Sequence, residues 1–570
     1  MNDDKSPSGL GKIISLVAIV ALIGLGLYIV LRNGDDETSA PAPAPEANTA
    51  ATAPAPTPGE PPADLELAES KFEVPRLSLP AAYEPKDPKV IDVEISEYAG
   101  YSGLIVANGG LAPSDDSYIF KKHGYKLNIT ISEDEDWGPM ASGELAASVT
   151  TVDVVAVYGR HLNSIVPVQI GFSRGADGIV VASDIRRINQ LKGRVLITAQ
   201  FTEAEFFVRF LAQEAGIGVN ILADAKSRPD PEKVNLVFMD DAEAACEAFS
   251  KHLEGGGTWL AGCIAWAPFT NQIVDKSGGK AHVLVTNKNL LIVADVLVVN
   301  KGFADKHPKA VAAMTDAVLE GNRLVRTDAR PHLDVIGKAF KWERSEVEEE
   351  LAKVHLSNLP ENLAFFSGDI DAAGSFGGIY QAALLAYGSD LIKNPIGEDK
   401  LHDGSHLAAL QKAGAYKEQT IQIAPIKSTE RSALEADPLL SKDIRFFFEP
   451  NSSKLDLSGS GKTDNEANLL AIRKLLQISP GSSVLLRGHV DDARIAEFRK
   501  LGGEAMVNKR ALEAAQLSKD RAEEVRRHLM EKHKIEDKRI DVFGAGWNEP
   551  VSKDKPDLNR RVEVHWFTLE

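Results

Sequence analysis

Between residues 90 and 415, short apolar runs alternate with stretches of helical period, and that alternation limits the chain to a sheet covered by helices. Residues 90–95, 127–131, 152–157, 178–182, 191–197 and 234–238 read as strands. Residues 203–215 are predicted helical, with Phe206, Phe207, Phe210 and Leu211 on one face, and residues 242–253 form a second helix. The pattern predicts a parallel or mixed sheet. Roughly 330 residues is large for a single lobe, so two α/β lobes with a cleft between them are expected.

The last 130 residues have a different order: strand, helix, strand, helix, strand, strand. Strands are predicted at 444–450, 483–490, 540–544 and 562–567, with helices at 466–476 and at 517–531, the latter led by Ser518. Asp491 stands at the end of a strand, Arg521 near the start of a helix, and Asn559-Arg560-Arg561 opens the final strand. One acid and several bases can therefore face each other. No metal-ligand spacing and no nucleophile–base pair accompanies them, so recognition of a charged ligand is the chemistry they suggest.

Charge is unevenly distributed. Residues 441–570 hold 24 basic and 22 acidic residues, and the remainder holds 40 against 60, within a net charge of −18. So acidic a chain is a poor partner for nucleic acid. The motifs of zinc proteases, serine hydrolases and phosphate-binding loops are absent, so catalysis is not expected and no cofactor or metal is implied. The two cysteines, Cys246 and Cys263, either pair in an oxidising compartment or serve as buried small hydrophobes.

Residues 13–31 are an uninterrupted apolar run without charge, spanning roughly 28 Å as a helix, close to a hydrocarbon core. Lys5 and Lys12 precede it and Asp35-Asp36-Glu37 follows, which favours a cytoplasmic residue 1–12 segment and an exported bulk. The rival is a cleaved signal peptide, whose apolar region is usually shorter, about 7–15 residues. Residues 32–75 are a Pro/Ala-rich linker with too few large apolar residues to form a core. Extended, some 40 such residues reach on the order of 120 Å.

Two resemblances refine this picture. The stretch Gly175-Ala176-Asp177-Gly178-Ile179-Val180-Val181-Ala182, with Asp184-Ile185 and Leu191-Lys192-Gly193-Arg194-Val195, resembles substrate-binding proteins of ABC transporters. The nearest group serves nitrate, sulfonate and thiamine-precursor uptake. Ala265-Trp266-Ala267-Pro268, residues 294–300 and residues 303–308 extend the likeness across most of residues 90–415, within a domain placed at 76–430. The resemblance places ligand groups on loops that face the cleft, at Ser102, Ser173, Arg174, Thr202 and Trp266. Thr202 also suits a helix N-cap, with Glu205 completing a capping box.

The C-terminal region, residues 440–570, resembles the OmpA-like peptidoglycan-binding domain. The likeness rests on Phe446-Phe447-Phe448, Gly488-His489-Val490-Asp491, Leu517-Ser518 with Arg521-Ala522, residues 544–550 and Asn559-Arg560-Arg561-Val562-Glu563. In that family an Asp and an Arg clamp the zwitterionic head of the diaminopimelate in the stem peptide. These map to Asp491 and Arg521, with Asn559 and Arg560 in the closing motif. Three departures are present: Val490 replaces the usual threonine, Ala514 replaces a frequent asparagine, and a charged insertion at 494–511 separates Asp491 from Arg521.

The expectation is an α/β two-lobed periplasmic-binding-protein-like domain plus an α+β OmpA-like domain, with an N-terminal single transmembrane helix. Its implied place is the inner membrane, with the bulk in the periplasm of a Gram-negative-type bacterium. Its implied partners are peptidoglycan, a small solute and an ABC transporter permease. The alternative is a structural scaffold whose lobes bind no solute.

Overall fold

The computed structural model describes residues 59–62, 65–132, 137–369, 374–423, 438–448, 452–458, 461–552 and 554–567. The expected membrane helix at 13–31 lies outside them. Among the described residues no helix is long and apolar enough to cross a membrane.

The chain builds its first sheet from β1 (Val90–Ile95), β2 (Lys126–Ile131), β3 (Ala147–Thr151) and β4 (Ser164–Ser173). It then crosses to a second sheet made of β5 (Asp177–Ala182), β6 (Val195–Ala199), β7 (Gly218–Ile221), β8 (Lys233–Met239), β9 (Leu260–Trp266) and β10 (Ala281–Thr286). It returns to the first with β11 (Ala294–Asn300) and β12 (Val354–Leu356). The orders are β12-β4-β11-β3-β1-β2 and β10-β5-β9-β6-β8-β7, so each lobe is a mixed six-stranded sheet. Strands such as β6 and β11 are buried along their whole length, which is why they read as largely apolar runs. The two lobes are joined by the crossovers at 174–176 and 287–293.

Helices cover the sheets. Those that matter below are α1 (Ser102–Asn108), α2 (Val152–Leu162), α3 (Glu203–Glu214), α4 (Ala242–Glu254), α5 (Leu359–Ser367) and α6 (Phe376–Leu391). Residues 152–157, expected as a strand, are the first turns of α2, and the strand is the preceding β3. Val152, Val154, Val155 and Val157 are all buried, so an apolar run packed on every side carries no period to tell helix from strand. The strand expected from 191 starts only at Val195, after a single 3-10 turn at Ile188–Leu191.

The stretch 65–75, which composition assigns to the linker, packs on the second lobe. Ala68 N donates to Phe238 O at 2.9 Å and Ser70 Oγ to Leu222 O at 2.7 Å. Leu65 and Leu67 pack against the apolar cluster that contains Phe249 and Trp259. Two leucines in a polar stretch are enough to seat it as an extra strap. Cys246 of α4 and Cys263 of β9 form a disulfide, with Cα atoms 5.2 Å apart. This fits an oxidising compartment.

Glu361 pins the far side of the first lobe. It caps α5 in a box with Asn358, meets Arg326 Nη1 at 2.8 Å and His355 at 3.1 Å, and accepts from Gln422 N at 2.9 Å. Burial opposes its ionisation, but the His355 hydrogen bond and the charges of His355 and Arg326 outweigh that and hold its pKa at about 2. A depressed carboxylate adds stability above its unfolded pKa and loses it as pH falls through the folded value. Stability should therefore drop between pH about 4.5 and about 2. Glu361→Gln should flatten that part of a melting-temperature-versus-pH curve, and an unchanged curve would refute the assignment.

The C-terminal domain is a sheet of order β13-β16-β14-β15, from β13 (Leu440–Ile444), β14 (Ser483–His489), β15 (Ile540–Gly546) and β16 (Val562–Phe567). Its helices are α7 (Lys462–Ile478) and α8 (Ile495–His533). The first strand lies earlier than expected, at 440–444 rather than 444–450, because Leu440–Ile444 is the segment that pairs with β16. The insertion runs on into the predicted helix at 517–531, making α8 one element broken only at Gly502 and Gly503, where Gly503 takes φ 62. Two glycines bring α8 onto the sheet: a Cβ at Gly488 would lie 2.0 Å from Ser518 O, and one at Gly544 would lie 2.3 Å from Ala515 O.

This domain also touches the lobes. Asn189 and Ser441 exchange hydrogen bonds at 2.9 and 3.0 Å, and Ile188 N donates to Leu439 O at 3.0 Å. Leu291 N, in the crossover at 287–293, donates to Ile478 O at 2.8 Å.

Candidate functional site

The close fit of β14, β15 and α8 decides what faces what in the C-terminal domain. Ser518 is fully buried, and its hydroxyl accepts from Gly546 N at 3.0 Å, while Val490 N donates to Gly546 O at 2.9 Å. These bonds set the strand end that carries Asp491 beside the turn of α8 that carries Arg521. Asp491 Oδ2 lies 3.7 Å from Arg560 Nε, and its Oδ1 accepts from Ala493 N at 3.2 Å. Arg521 lies over the Phe448 ring at 4.9 Å, and its Nε is buried without a hydrogen-bond partner among the described residues. Burial and then the Arg560 charge push the Arg521 guanidinium below its ordinary value, and Asp491 works against them. Asp491, Arg521 and Arg560 thus form one cluster, from three separate elements.

Asn559 has a different task. It is 1% exposed; its Oδ1 accepts from Val551 N and Ser552 N at 2.9 and 3.0 Å, and its Nδ2 donates to Ser552 O and Asp492 Oδ1. Both ends of its amide are engaged in holding the loop before β16, and Asp492 is engaged with it. The insertion borders the cluster. Arg494 is close enough to Asp491 to feel its charge, and Phe498 stacks on Trp547 with ring centroids 6.2 Å apart.

Between the lobes, the residues singled out from sequence separate into three roles. Thr202 is the N-cap of α3: its hydroxyl accepts from Glu205 N at 3.5 Å and donates to Ala199 O at 3.1 Å. Ser173 ends β4 and Arg174 begins the first crossover. Ser173 Oγ donates to Asp177 Oδ2 at 2.5 Å, Asn287 Nδ2 donates to the same oxygen at 2.6 Å, and Gly175 N donates to Asn287 Oδ1 at 2.7 Å. Asp177 therefore fastens the two crossovers to each other. Its burial pushes its pKa up to about 6. Arg174 Nε donates to Lys288 O at 3.1 Å.

Ser102 and Trp266 are the remaining two. Ser102, the first residue of α1, is fully buried and its hydroxyl has no partner among the described residues. Trp266 ends β9 directly opposite Asp177 in the ladder. Sequence reasoning missed Tyr98, Tyr101, Thr151 and Asp295. Burial raises the Tyr98 hydroxyl well above its ordinary pKa, and so do the charges of Asp295, Asp177 and Glu203, which places groups from both lobes around it. The signal available in sequence was an acid inside an otherwise apolar strand, at Asp177 and Asp295. Aromatic rings close the gap beside them, with Tyr158–Phe201 and Phe201–Tyr387 centroids each 6.2 Å apart.

Residues 447–563 match the model of the OmpA family, so the C-terminal domain is an OmpA domain. Solved structures with similarity to the two-lobed region include the periplasmic aliphatic sulphonate binding protein SsuA from Escherichia coli. It is 12% identical, covers 55% of this chain and 97% of its own, and has a TM-score of 0.41. A putative sulfonate-binding protein from Methylobacillus flagellatus is 13% identical over 60% of this chain and 100% of its own, with a TM-score of 0.44. The periplasmic nitrate-binding protein NrtA from Synechocystis is 11% identical over 59% of this chain and 90% of its own, with a TM-score of 0.41. No curated protein matches the chain.

Proposed function

We propose that this chain is a cell-envelope protein that attaches to peptidoglycan through its OmpA domain and closes its two lobes on a small solute. The observation that carries the wall-binding part is the convergence of Asp491, Arg521 and Arg560. A diaminopimelate head offers an ammonium and a carboxylate on one carbon. The ammonium suits Asp491, and the carboxylate suits the forked guanidinium of Arg521 with Arg560 beside it. Asn559 shapes the loop that presents Arg560. Residues 13–31 supply the inner-membrane anchor, which puts the folded part in the periplasm, and the Pro/Ala-rich stretch supplies the spacer. The solute part is supported by two lobes joined by two crossovers, with polar side chains from both lobes meeting between them. A transporter permease is the partner such a receptor would serve.

Co-sedimentation with purified sacculi tests the clamp. Asp491→Ala and Arg521→Ala should each reduce pelleting about tenfold or more, the worth of one charge-assisted hydrogen bond. Both variants should melt like wild type. Undiminished pelleting by both would remove the clamp.

One observation favours a second reading, in which the lobes act as a rigid spacer. Tyr387, on α6 of the first lobe, donates its hydroxyl to Thr202 O at 3.3 Å, and Phe201 sits against its ring, so part of the cleft is already filled. Saturable binding of any solute to the full chain would eliminate that reading.

A further inference from the structure

A cavity of about 250 Å³ opens where residues 73–76 of the strap meet α2, α6 and the loop 391–396. None of its lining residues is among those singled out for the cleft. The strap reaches this point from the second lobe, where Lys71 N donates to Gln200 Oε1 at 2.8 Å and Gln200 Nε2 to Lys71 O at 2.6 Å. It goes on to the first lobe, where Ala81 N donates to Ala141 O at 2.8 Å. The cavity therefore lies along the passage of the strap from one lobe to the other.

Its walls are of two kinds. Val157, Leu391 and Ile392 are buried and apolar. Arg76, Arg160 and Lys393 supply three positive charges against the single acid Glu73, in a chain whose net charge is −18. Glu73 is spent on Lys393, with Oε1 and Nζ 2.5 Å apart. Arg160 uses Nη1 on the carbonyls of Lys393 and Asn394, at 3.2 and 3.0 Å, which fixes its guanidinium beside the loop. The guanidinium of Arg76 makes no hydrogen bond or ion pair among the described residues. His161 lies within reach of both arginines: burial first, then the charges of Arg160 and Arg76, hold its imidazole below its ordinary pKa. The positive field is thus aimed at one place.

A cation entering here would meet like charges, and a neutral solute would leave the free guanidinium unused. A carboxylate matches the planar fork of a guanidinium, and an apolar tail suits the buried wall. At about 30 Å³ per water, the cavity has room for about eight water-sized groups. We propose that this cavity binds a small organic carboxylate, whose head meets Arg76 and Arg160 and whose apolar body lies against Val157 and Leu391. Such a ligand touches the strap and two first-lobe helices together, and so fastens the strap where it changes lobes.

Calorimetric titration of the full chain with hexanoate, hexanol and hexylamine tests it. Hexanoate should bind saturably, hexanol about tenfold more weakly or worse, and hexylamine not at all. Arg76→Gln removes one charge from an exposed side chain, and should weaken hexanoate about tenfold while the melting temperature stays that of wild type. Glu73→Gln removes the acid and releases Lys393, so it should tighten hexanoate about threefold. A site that were only an apolar depression would not respond to these two variants in opposite directions. No saturable hexanoate binding overturns the proposal, and so does hexanol binding as tightly as hexanoate. Hexanoate bound equally well by Arg76→Gln and wild type also overturns it, and moves the carboxylate site elsewhere in the chain.

Discussion

Gly488→Val should unfold the OmpA domain and leave the two lobes folded. The α-carbon of Gly488 faces the backbone of α8, and a Cβ built there lies 2.0 Å from Ser518 O. A carbonyl inside a helix cannot step aside as a side-chain tip can, so α8 must lift off β14. Overpacking of this kind costs about 1–3 kcal/mol for an added methyl group. Valine adds two more carbons, and a loss of about 4 kcal/mol is comparable to the whole stability of a small domain. Urea unfolding of the full chain should show an early transition for the variant, accompanied by loss of sacculus pelleting. Midpoints equal to wild type would show that the helix approach is softer than the geometry implies.

The second large effect belongs to α3. Glu205 is fully buried, accepts from Arg209 Nε at 2.7 Å and from Phe201 N at 2.6 Å, and Arg209 lies over the Tyr387 ring at 5.1 Å. Phe201 holds φ 63, a conformation that a bulky residue keeps only when its surroundings impose it. Glu205→Ala strands a buried guanidinium and releases Phe201 together, and the expected cost is about 3–5 kcal/mol. Glu205→Leu with Arg209→Met should recover most of that loss, because neither charge is then left alone. Chemical denaturation of the two-lobed region measures both. A double variant as unstable as the single one would show that Phe201 N, and not the charge pair, is what α3 depends on.

How much of this could be read in the sequence follows the range of the interactions. Local signals worked: the period of Phe206, Phe207 and Phe210 marked α3, Thr202 marked its cap, although Glu205 accepts from Phe201 N instead of closing a capping box, and five ordered motifs marked the OmpA domain. Signals failed where a segment is buried on all sides, as in α2, whose valines suit either element. They failed again where the deciding contact is distant. Nothing near Asp295 in sequence announces Tyr101 or Asp177, and nothing near Leu65 announces the face of the second lobe. Ser173 and Thr202 were singled out for their hydroxyls, and both hydroxyls are engaged in structure. Asp491, Arg521 and Arg560 each sit inside a motif of their own, and the strand order brings those motifs together.

The bond from Leu291 N to Ile478 O joins the OmpA domain to one of the two crossovers on which the lobes would turn. The pair of hydrogen bonds between Asn189 and Ser441 joins it to the second lobe as well. The OmpA domain is therefore a strut laid across the pivot and not a weight hung from one lobe. Any swing of the lobes must rotate that strut or snap its backbone bond.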